Sequence, residues 1–309
     1  MTVLITGCLG HIGSRFVRFL LKKKVSVIGI DNFLTNRYVS LRGVISNKNF
    51  QFIEADLSKI TYKDFSNLLK DKDFNVIIHL AAITNASDSF KIKDELFFNN
   101  LNITKLITKF CKIKSKQLIF ASSTSVYGTS KNIVYENDKN ALNPQSPYAE
   151  CKKKEEEIII NSNLKYFQIL RLGTIFGISP GMRFHTAVNK FCYQSSLRKP
   201  ITVWRTALEQ YRPYLDIKDA CNVFYYFILH KQNNGIYNIL TNNYKVSELL
   251  NSIRKYDKNI KIEFVNNKIM NQLSYFVSND KIKDLNFKFK GNLNKSIEET
   301  INWLKKEVF

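Results

Sequence analysis

The sequence predicts an α/β fold: a doubly wound parallel sheet with a smaller, interleaved second domain. Short apolar runs alternate with helix-periodic segments through the first half of the chain. A glycine triplet stands between the first such run and the first helix, and the alternation changes character after about Gly173. Repeated β–α alternation argues for a parallel sheet with helices on both faces. Right-handed crossovers make the doubly wound arrangement the default.

Taken in order, strands are predicted at Thr2–Thr6, Val25–Ile30, Phe50–Glu54, Val76–Leu80, Gln117–Ser122 and Tyr166–Leu172, each a short, largely apolar run. Helical periodicity covers Ile12–Leu21, Phe65–Leu69 and Leu101–Cys111, and a charged helix begins at Tyr148. Beyond Gly173 the pattern predicts a helix over Arg183–Ser196 and strands at Ile201–Trp204, Tyr214–Ile217 and Ile236–Leu240. A helix over Asp219–His230 and an amphipathic one over Ile297–Lys306 complete it. The expected division is 1–172 for the sheet domain, with segments near 211–240 returning to it, and 173–309 for a mainly substrate-binding region.

Composition narrows the function class. With 309 residues, 44% hydrophobic and 24% charged, the chain can bury a real core in one large or two modest domains. No run approaches the roughly 18 apolar residues of a membrane helix. Met1 leads straight into Thr2-Val3-Leu4-Ile5 without a basic flank, so no signal peptide and a cytoplasmic location are expected. The five cysteines (Cys8, Cys111, Cys151, Cys192, Cys221) form no Cys-x-x-Cys pair, and the four histidines (His11, His79, His185, His230) complete no ligand set. Neither a disulfide framework nor a metal site is expected. The formal net charge of +21 raises the question of nucleic acid. Its lysines are spread along the chain, and no recognised binding motif accompanies them. An anionic small molecule is the more economical partner, and nucleic acid is not expected.

The predicted strand Thr2–Thr6 runs directly into Gly7-Cys8-Leu9-Gly10-His11-Ile12-Gly13 and then a helix. Glycines at this spacing permit a tight turn and let backbone N–H groups approach a pyrophosphate at the helix N-terminus. Placement at the start of an α/β pattern turns a glycine-rich turn into a Rossmann-type dinucleotide signature. Asp31 closes the second strand where a ribose-binding acid belongs. Its carboxylate accepts from adenosine hydroxyls and repels a 2′-phosphate, which favours NAD over NADP, with Arg37 as the one nearby counter-indication. Asp56-Leu57 after the third strand is a candidate for the adenine edge. His79-Leu80-Ala81-Ala82 ends the fourth strand with small residues that admit a cofactor, and His79 itself reads as a packed histidine.

Tyr148-Ala149-Glu150-Cys151-Lys152 sets a tyrosine and a lysine on one face of a helix. A phenol is a poor base near neutrality. An adjacent ammonium, with a positive nicotinamide ring, stabilises the phenolate. Alone, Tyr-x-x-x-Lys is a common accident. Here it follows a dinucleotide site and the hydroxyl-rich strand end Phe120-Ala121-Ser122-Ser123-Thr124-Ser125-Val126-Tyr127-Gly128, on the carboxyl edge where open α/β sheets bind ligands. Chemistry alone does not choose one hydroxyl among the four.

Together these segments make the chain resemble the extended short-chain dehydrogenases/reductases, within the NAD-dependent nucleotide-sugar epimerase/dehydratase family. The matching segments are Thr6-Gly7-x-x-Gly10-x-Ile12-Gly13, Asp31-Asn32, Asp56-Leu57, His79-Leu80-Ala81-Ala82, Asn99-Asn100, Ser122-Ser123-x-x-Val126-Tyr127-Gly128 and Pro147-Tyr148-x-x-x-Lys152. Leu170-Arg171, Tyr211-Arg212-Pro213-Tyr214 through Asp219-Ala220, and Gly235-x-Tyr237-Asn238 extend the match over nearly the whole chain. The resemblance implies NAD held by Gly7, Gly10, His11, Ile12, Gly13, Asp31, Asn32, Asp56, Leu57, Leu80, Ala81, Ala82, Asn100, Tyr148 and Lys152. It implies Ser123 as the catalytic hydroxyl beside Tyr148 and Lys152, Arg212 on the substrate diphosphate, and Thr124 beside the sugar.

The chain also departs from the family. Thr124-Ser125 stand where the family's 4,6-dehydratases carry an Asp-Glu pair, so dehydration is not expected. Thr174 stands about where many 4-epimerases have Asn, and Ser179-Pro180-Gly181-Met182-Arg183-Phe184 is not the usual 4-epimerase wording. Lys268 and Met270 occupy the neighbourhood of a second diphosphate-binding arginine.

The resemblance thus implies a sugar-nucleotide epimerase that oxidises its nucleotide-diphosphate sugar transiently to a keto-sugar. It also implies a homodimer paired through Leu96–Cys111 and Tyr148–Ile160. A net sugar-nucleotide dehydrogenase or reductase uses the same groups. An NAD-sensing or scaffold protein on this fold is the non-enzyme alternative, and its usual sign is a broken Tyr–Lys pair. Sugar, nucleotide and reacting carbon stay open.

Overall fold

The computed structural model describes residues 1–130, 132–265 and 274–308. The first part of the chain runs β1 (Thr2–Thr6), α1 (His11–Lys22), β2 (Ser26–Asp31), β3 (Phe50–Glu54), α2 (Tyr62–Leu68), β4 (Val76–His79) and α3 (Lys93–Ile113). It continues through β5 (Gln117–Ser123), β6 (Ile133–Val134), α4 (Pro147–Ile160) and β7 (Phe167–Leu172). Then come β8 (Thr174–Phe176), α5 (Ala187–Ser196), β9 (Ile201–Trp204), β10 (Tyr211–Asp216), α6 (Ile217–Leu229) and β11 (Gly235–Ile239). The last elements are β12 (Asn242–Lys245), α7 (Val246–Arg254), β13 (Ile262–Val265), β14 (Phe276–Val277), α8 (Asp280–Lys283) and α9 (Leu293–Val308).

Seven strands form one parallel sheet in the order β11-β7-β5-β4-β1-β2-β3. The near-continuous apolar runs of its strands are explained by burial on both faces. Val3, Ile5, Val76, Ile78 and Ile119 share a core with Phe16 and Leu20 of α1 and Phe224 and Phe227 of α6. Their neighbours Leu4, Ile77, Leu118 and Phe120 point the other way, onto Phe65 of α2 and Ile107 and Phe110 of α3. This is the doubly wound sheet that the alternation predicts. Strand order reverses between β1 and β4, so their carboxyl ends open the crevice where such sheets bind ligands.

A separate core joins Val188 and Phe191 of α5, Leu249 and Ile253 of α7, and Ile297 and Ile301 of α9. Smaller sheets β12-β10-β8, β13-β9 and β14-β6 accompany it. Within 211–240, α6 packs on the large sheet and β11 pairs with β7. β10 instead pairs with β8 through Tyr214–Asp216 and with β12 through Tyr211–Tyr214, because β8 leaves the large sheet just after Gly173 and carries β10 with it. Several helices also begin elsewhere than periodicity suggests, α2 at Tyr62 and α9 at Leu293 among them. α3 starts at Lys93, with Asp94 and Glu95 in its first turn, where carboxylates favour a helix N-terminus. α5 starts only at Ala187, because the preceding residues form a loop that lays Arg183 against Thr84.

Candidate active site

The glycine loop shows which faces are closed and which is open. Gly7 turns at φ +69°, and a Cβ there would stand 2.7 Å from the Ala81 nitrogen. A Cβ on Gly13 would lie 2.3 Å from the Gly7 carbonyl oxygen, so strand, loop and helix meet with no space for a side chain. Gly10 differs. Its Cβ would meet nothing nearer than the Gly7 oxygen at 3.4 Å and Arg37 Nη1 at 3.9 Å. The first turn of α1 carries neither a side-chain cap nor an acidic residue. Its N-terminal N–H groups therefore suit an anion laid over Gly10.

Asp31 sits beside this loop. Its Oδ2 accepts from the Leu9 N–H at 3.0 Å and its Oδ1 from the Phe33 N–H at 3.1 Å, and each oxygen keeps a further lone pair for a ribose hydroxyl. Burial raises its pKa, opposed by the backbone N–H groups and by Arg37. Asn32 accepts from the Leu34 N–H, and Asp56 accepts from the Ser58 N–H and hydroxyl next to buried Leu57. Ile12 is partly buried on the first turn of α1, and Leu80, Ala81 and Ala82 line the strand-end turn that presses on Gly7.

Two expected cofactor ligands use their side chains differently. His11 is buried, held neutral with a pKa of about 3 by burial and the nearby Arg183, and donates from Nε2 to the Gly177 carbonyl at 2.9 Å. Its ring ties α1 to the loop after β8, leaving its backbone N–H as what it offers an anion. Asn100 accepts from the Ile83 N–H at 2.8 Å and donates to the Ile83 carbonyl at 3.0 Å. Both ends of the amide hold the turn that carries Leu80–Ala82.

The loop after β8 lies on the glycine loop. The Gly181 N–H donates to Ser14 Oγ at 3.0 Å, and a Cβ on Gly181 would stand 2.3 Å from the Leu9 oxygen. Arg183 donates from Nη1 to Thr84 Oγ1, while its buried Nε has no hydrogen-bond partner among the described residues. Tyr148 and Arg37 both act electrostatically on it. Two guanidinium groups thus gather at the rim of the glycine loop.

α4 begins with Ser146 accepting from the Ala149 N–H and Pro147 in the first turn. Glu156 sets its rotation. Arg171 donates from Nε and Nη2 to the Glu156 carboxylate, the shortest contact being 2.7 Å, and Ser122 Oγ donates to it as well. Arg171 Nη1 reaches Tyr127 Oη at 2.7 Å, which donates to Asn238 Oδ1 on β11. This buried network turns the next face of α4, with Tyr148 and Lys152, toward the carboxyl edge of the sheet. Lys152 is only 3% exposed, its Nζ 4.6 Å from the Phe120 ring centre and 3.1 Å from Glu155 Oε2. The last contact is an ion pair without hydrogen-bond alignment. Burial disfavours the ammonium, but Glu155 and Tyr148 overturn that and raise the Lys152 pKa.

The four hydroxyls separate in space. Ser122 is taken into the Glu156 network. Ser123 Oγ accepts from the Ser125 N–H at 3.1 Å and keeps its own proton to donate. Thr124 is buried, with Oγ1 donating to the Leu172 carbonyl at 3.3 Å and 3.5 Å from Tyr275 Oη. The short turn after β5 thus sets Thr124 beside Tyr275. Ser125 Oγ is buried without a partner among the described residues. Arg212, on β10, is half-buried and its charge acts on Tyr214 and Tyr275. Lys268 and Met270 lie outside the described residues.

Sequence reasoning missed Glu155 and Arg183. Glu155 hides in a run of three glutamates that reads as a solvated face; its spacing of three from Lys152 was the available signal. Arg183 carries no motif, and only the folded loop brings it to Tyr148.

Residues 3–239 match the model of the NAD dependent epimerase/dehydratase family. An uncharacterized UDP-glucose epimerase of Bacillus subtilis (strain 168) is 32% identical over 233 residues, covering 71% of this chain and 70% of that one. A trifunctional UDP-glucose 4,6-dehydratase/UDP-4-keto-6-deoxy-D-glucose 3,5-epimerase/UDP-4-keto-L-rhamnose-reductase of Arabidopsis thaliana is 26% identical over 317 residues. That match covers 97% of this chain and 47% of the relative, so the chain spans about half of its length. Among solved structures, the UDP-glucuronic acid 4-epimerase of Bacillus cereus in complex with UDP-glucuronic acid and NAD superposes with a TM-score of 0.88 at 25% identity. Both chains are covered completely.

Proposed function

The chain belongs to the NAD-dependent epimerase/dehydratase family, and on that premise we propose that it epimerises a UDP-sugar through transient oxidation to a keto-sugar. The observation that carries this reading is the pairing of Tyr148 with a buried, charged Lys152 beside a glycine loop left open at Gly10. NAD fits that loop. A side chain at Gly10 would fill the cradle, the first turn of α1 supplies N–H groups, and Asp31 has lone pairs to spare for ribose hydroxyls. Gly7, Gly10, Gly13 and the backbone of His11 and Ile12 would hold the diphosphate. Asp31 and Asn32 would take the adenosine ribose, Asp56 and Leu57 the adenine, and Leu80–Ala82 with Lys152 the nicotinamide end.

When bound, NAD would supply reversible hydride chemistry at the sugar carbon. Tyr148, as phenolate, takes the proton of the sugar hydroxyl on its Oη and later gives it back. Ser123 donates to the same sugar oxygen and fixes its position. Lys152 stays charged and stabilises the phenolate. Arg212 binds the substrate diphosphate, and Thr124 shapes the sugar end through Tyr275. In this reading the sheet lobe, 1–172 with α6 and β11, holds the cofactor, and 173–309 mainly holds the sugar nucleotide.

The assembly we infer is a cytoplasmic homodimer paired through α3 and α4, which expose Phe98 and Ile160 while Ile159 stays in the core. No helix among the described residues is long and apolar enough to cross a membrane.

The test is incubation of the purified protein with a panel of UDP-hexoses and UDP-hexuronates, separating products by chromatography and following reduced nicotinamide by absorbance. An epimer formed without net reduction supports the reading. Stoichiometric reduced nicotinamide replaces it with net dehydrogenation, and inertness toward every sugar nucleotide in the presence of NAD overturns it. A monomeric mass by light scattering at micromolar concentration refutes the dimer.

A further inference from the structure

A chain of buried polar groups runs beneath the candidate active site. The Ala81 N–H donates to Thr6 Oγ1 at 3.2 Å, and Thr6 Oγ1 lies 2.8 Å from His79 Nδ1. His79 Nε2 lies 3.2 Å from Thr104 Oγ1, whose proton goes to Glu155 Oε1 at 2.7 Å. With the Thr104 proton directed at the carboxylate, His79 Nε2 must donate and Nδ1 must accept from Thr6. Every hydrogen then points toward Glu155. The end of the chain is its Oε2, which has no aligned donor and faces Lys152 Nζ at 3.1 Å. Thr6, His79, Thr104, Glu155 and Lys152 are all at most 3% exposed.

We propose that Glu155 is a positioning residue for the Tyr148–Lys152 pair: it anchors the ammonium and, as a carboxylate, opposes the negative charge that Tyr148 acquires. This rests on the proposed role of Tyr148 as base. A buried charge persists only when paired. Glu155 supplies that partner for Lys152 from three residues away; burial raises its own pKa, and the Lys152 charge and the Thr104 hydroxyl oppose that rise and favour the carboxylate. The remaining groups near the pair are Cys151 and Glu156 on α4, His79 on β4, the Phe120 ring on β5, and Arg183 on the loop after β8, whose positive charge acts on Tyr148. His79 is neutral and the Glu156 charge is matched by Arg171, so Glu155 is the carboxylate that meets Lys152, the partner of Tyr148. With it in place, Lys152 is held charged to higher pH, and its help to the phenolate is partly cancelled. Removing it moves both edges of the working pH range toward acid.

Glu155→Gln keeps the shape and an acceptor for Thr104 but deletes the charge. The expected result is a pH profile of kcat/KM whose two limbs both move toward acid by about one pH unit, the usual scale of one nearby charge. KM for the sugar nucleotide stays unchanged at the optimum, and Glu155→Asp leaves the limbs nearer the parent. A second readout needs no turnover. The phenolate absorbance of Tyr148, taken as the difference between each chain and the same chain with Tyr148→Phe, should titrate at lower pH in Glu155→Gln. Limbs and absorbance that stay in place, whatever the loss of rate, overturn the proposal and leave Glu155 a packing residue. If Glu155→Gln does not fold, Thr104→Val decides. By removing the donor to Oε1 it should move the curves the same way by less, and an unmoved curve overturns the proposal. If Tyr148→Phe retains turnover, the functional reading falls instead, while the absorbance titration still judges Glu155.

Discussion

Acidification should destabilise this protein through two rings that the fold keeps neutral. His79 and His11 are each lowered from 6.5 to about 3, mainly by burial, with Lys152 adding to the effect at His79 and Arg183 at His11. A folded-state pKa below the unfolded one means that the unfolded chain takes up the proton first. Stability from these rings is therefore whole above about pH 6.5 and is lost as the pH falls toward 3. Each pH unit in that window is worth about 1.4 kcal/mol per ring. At pH 5 the loss is about 2 kcal/mol for each histidine and about 4 kcal/mol for both, against a typical domain stability of roughly 5–15 kcal/mol. Carboxylates such as Asp31, raised by burial in the folded state, work in the opposite sense as the pH falls. Denaturant titrations of the parent chain and of His79→Gln, each at pH 7 and pH 5, separate the contributions. The variant starts less stable, because Thr6 and Thr104 lose their partner, but it should lose about 2 kcal/mol less on acidification. Equal losses in the two chains refute the neutral-ring account.

Tyr148→Phe should leave thermal unfolding and NAD titration near the parent while turnover falls by roughly two to four orders of magnitude; full activity removes the phenol from the mechanism. Lys152→Met should lose turnover and NAD affinity together, and Ser123→Ala less than either, by steady-state kinetics. Gly10→Ala should melt close to the parent but bind NAD at least about tenfold more weakly, whereas Gly13→Ala should lose about 1–3 kcal/mol of stability through overpacking. Identical melting of the two variants contradicts the cradle. NAD should bind more tightly than NADP because of Asp31, by fluorescence titration, and equal affinities would point to Arg37 as the compensating charge. Arg171→Leu leaves the Glu156 carboxylate buried without its partner and should cost about 3–5 kcal/mol in urea; a loss below about 1 kcal/mol sinks the locking role given to that pair.

The large sheet was legible because its strands are short apolar runs separated by helical periods, a pattern that local sequence carries by itself. The glycine loop was legible because glycine is required where Gly7 and Gly13 meet other backbone, and that requirement is written as spacing. What escaped depends on tertiary position. Two-residue strands such as Ile133–Val134 and Phe276–Val277 are too short to show a period. The first turns of α3 hold the polar run Lys93-Asp94-Glu95, which hides the helix from a hydrophobic pattern. Among the hydroxyls, Ser123 and Thr124 differ by one position, yet the turn after β5 gives them different partners and different burial. Glu155 and Glu157 look alike in sequence, and one is buried against Lys152 while the other is exposed.

The seventh strand has a consequence for how the chain matures. β11 pairs with β7 from Gly235↔Gln168 to Ile239↔Leu172, yet residues 173–234 intervene. A nascent chain ending at 172 holds six strands of the sheet and offers the outer edge of β7 as a row of unpaired N–H and C=O groups, a template for aggregation. Closing so long an excursion costs only logarithmically in entropy, so the penalty falls on timing more than on final stability. Asn238 arrives with β11, and it is the acceptor for Tyr127, which in turn receives from the arginine that locks α4. The helix bearing Tyr148 and Lys152 is therefore seated by a residue synthesised long after it. Dividing the gene at the visible end of the sheet pattern would separate Tyr148 and Lys152 from the strand that orients their helix.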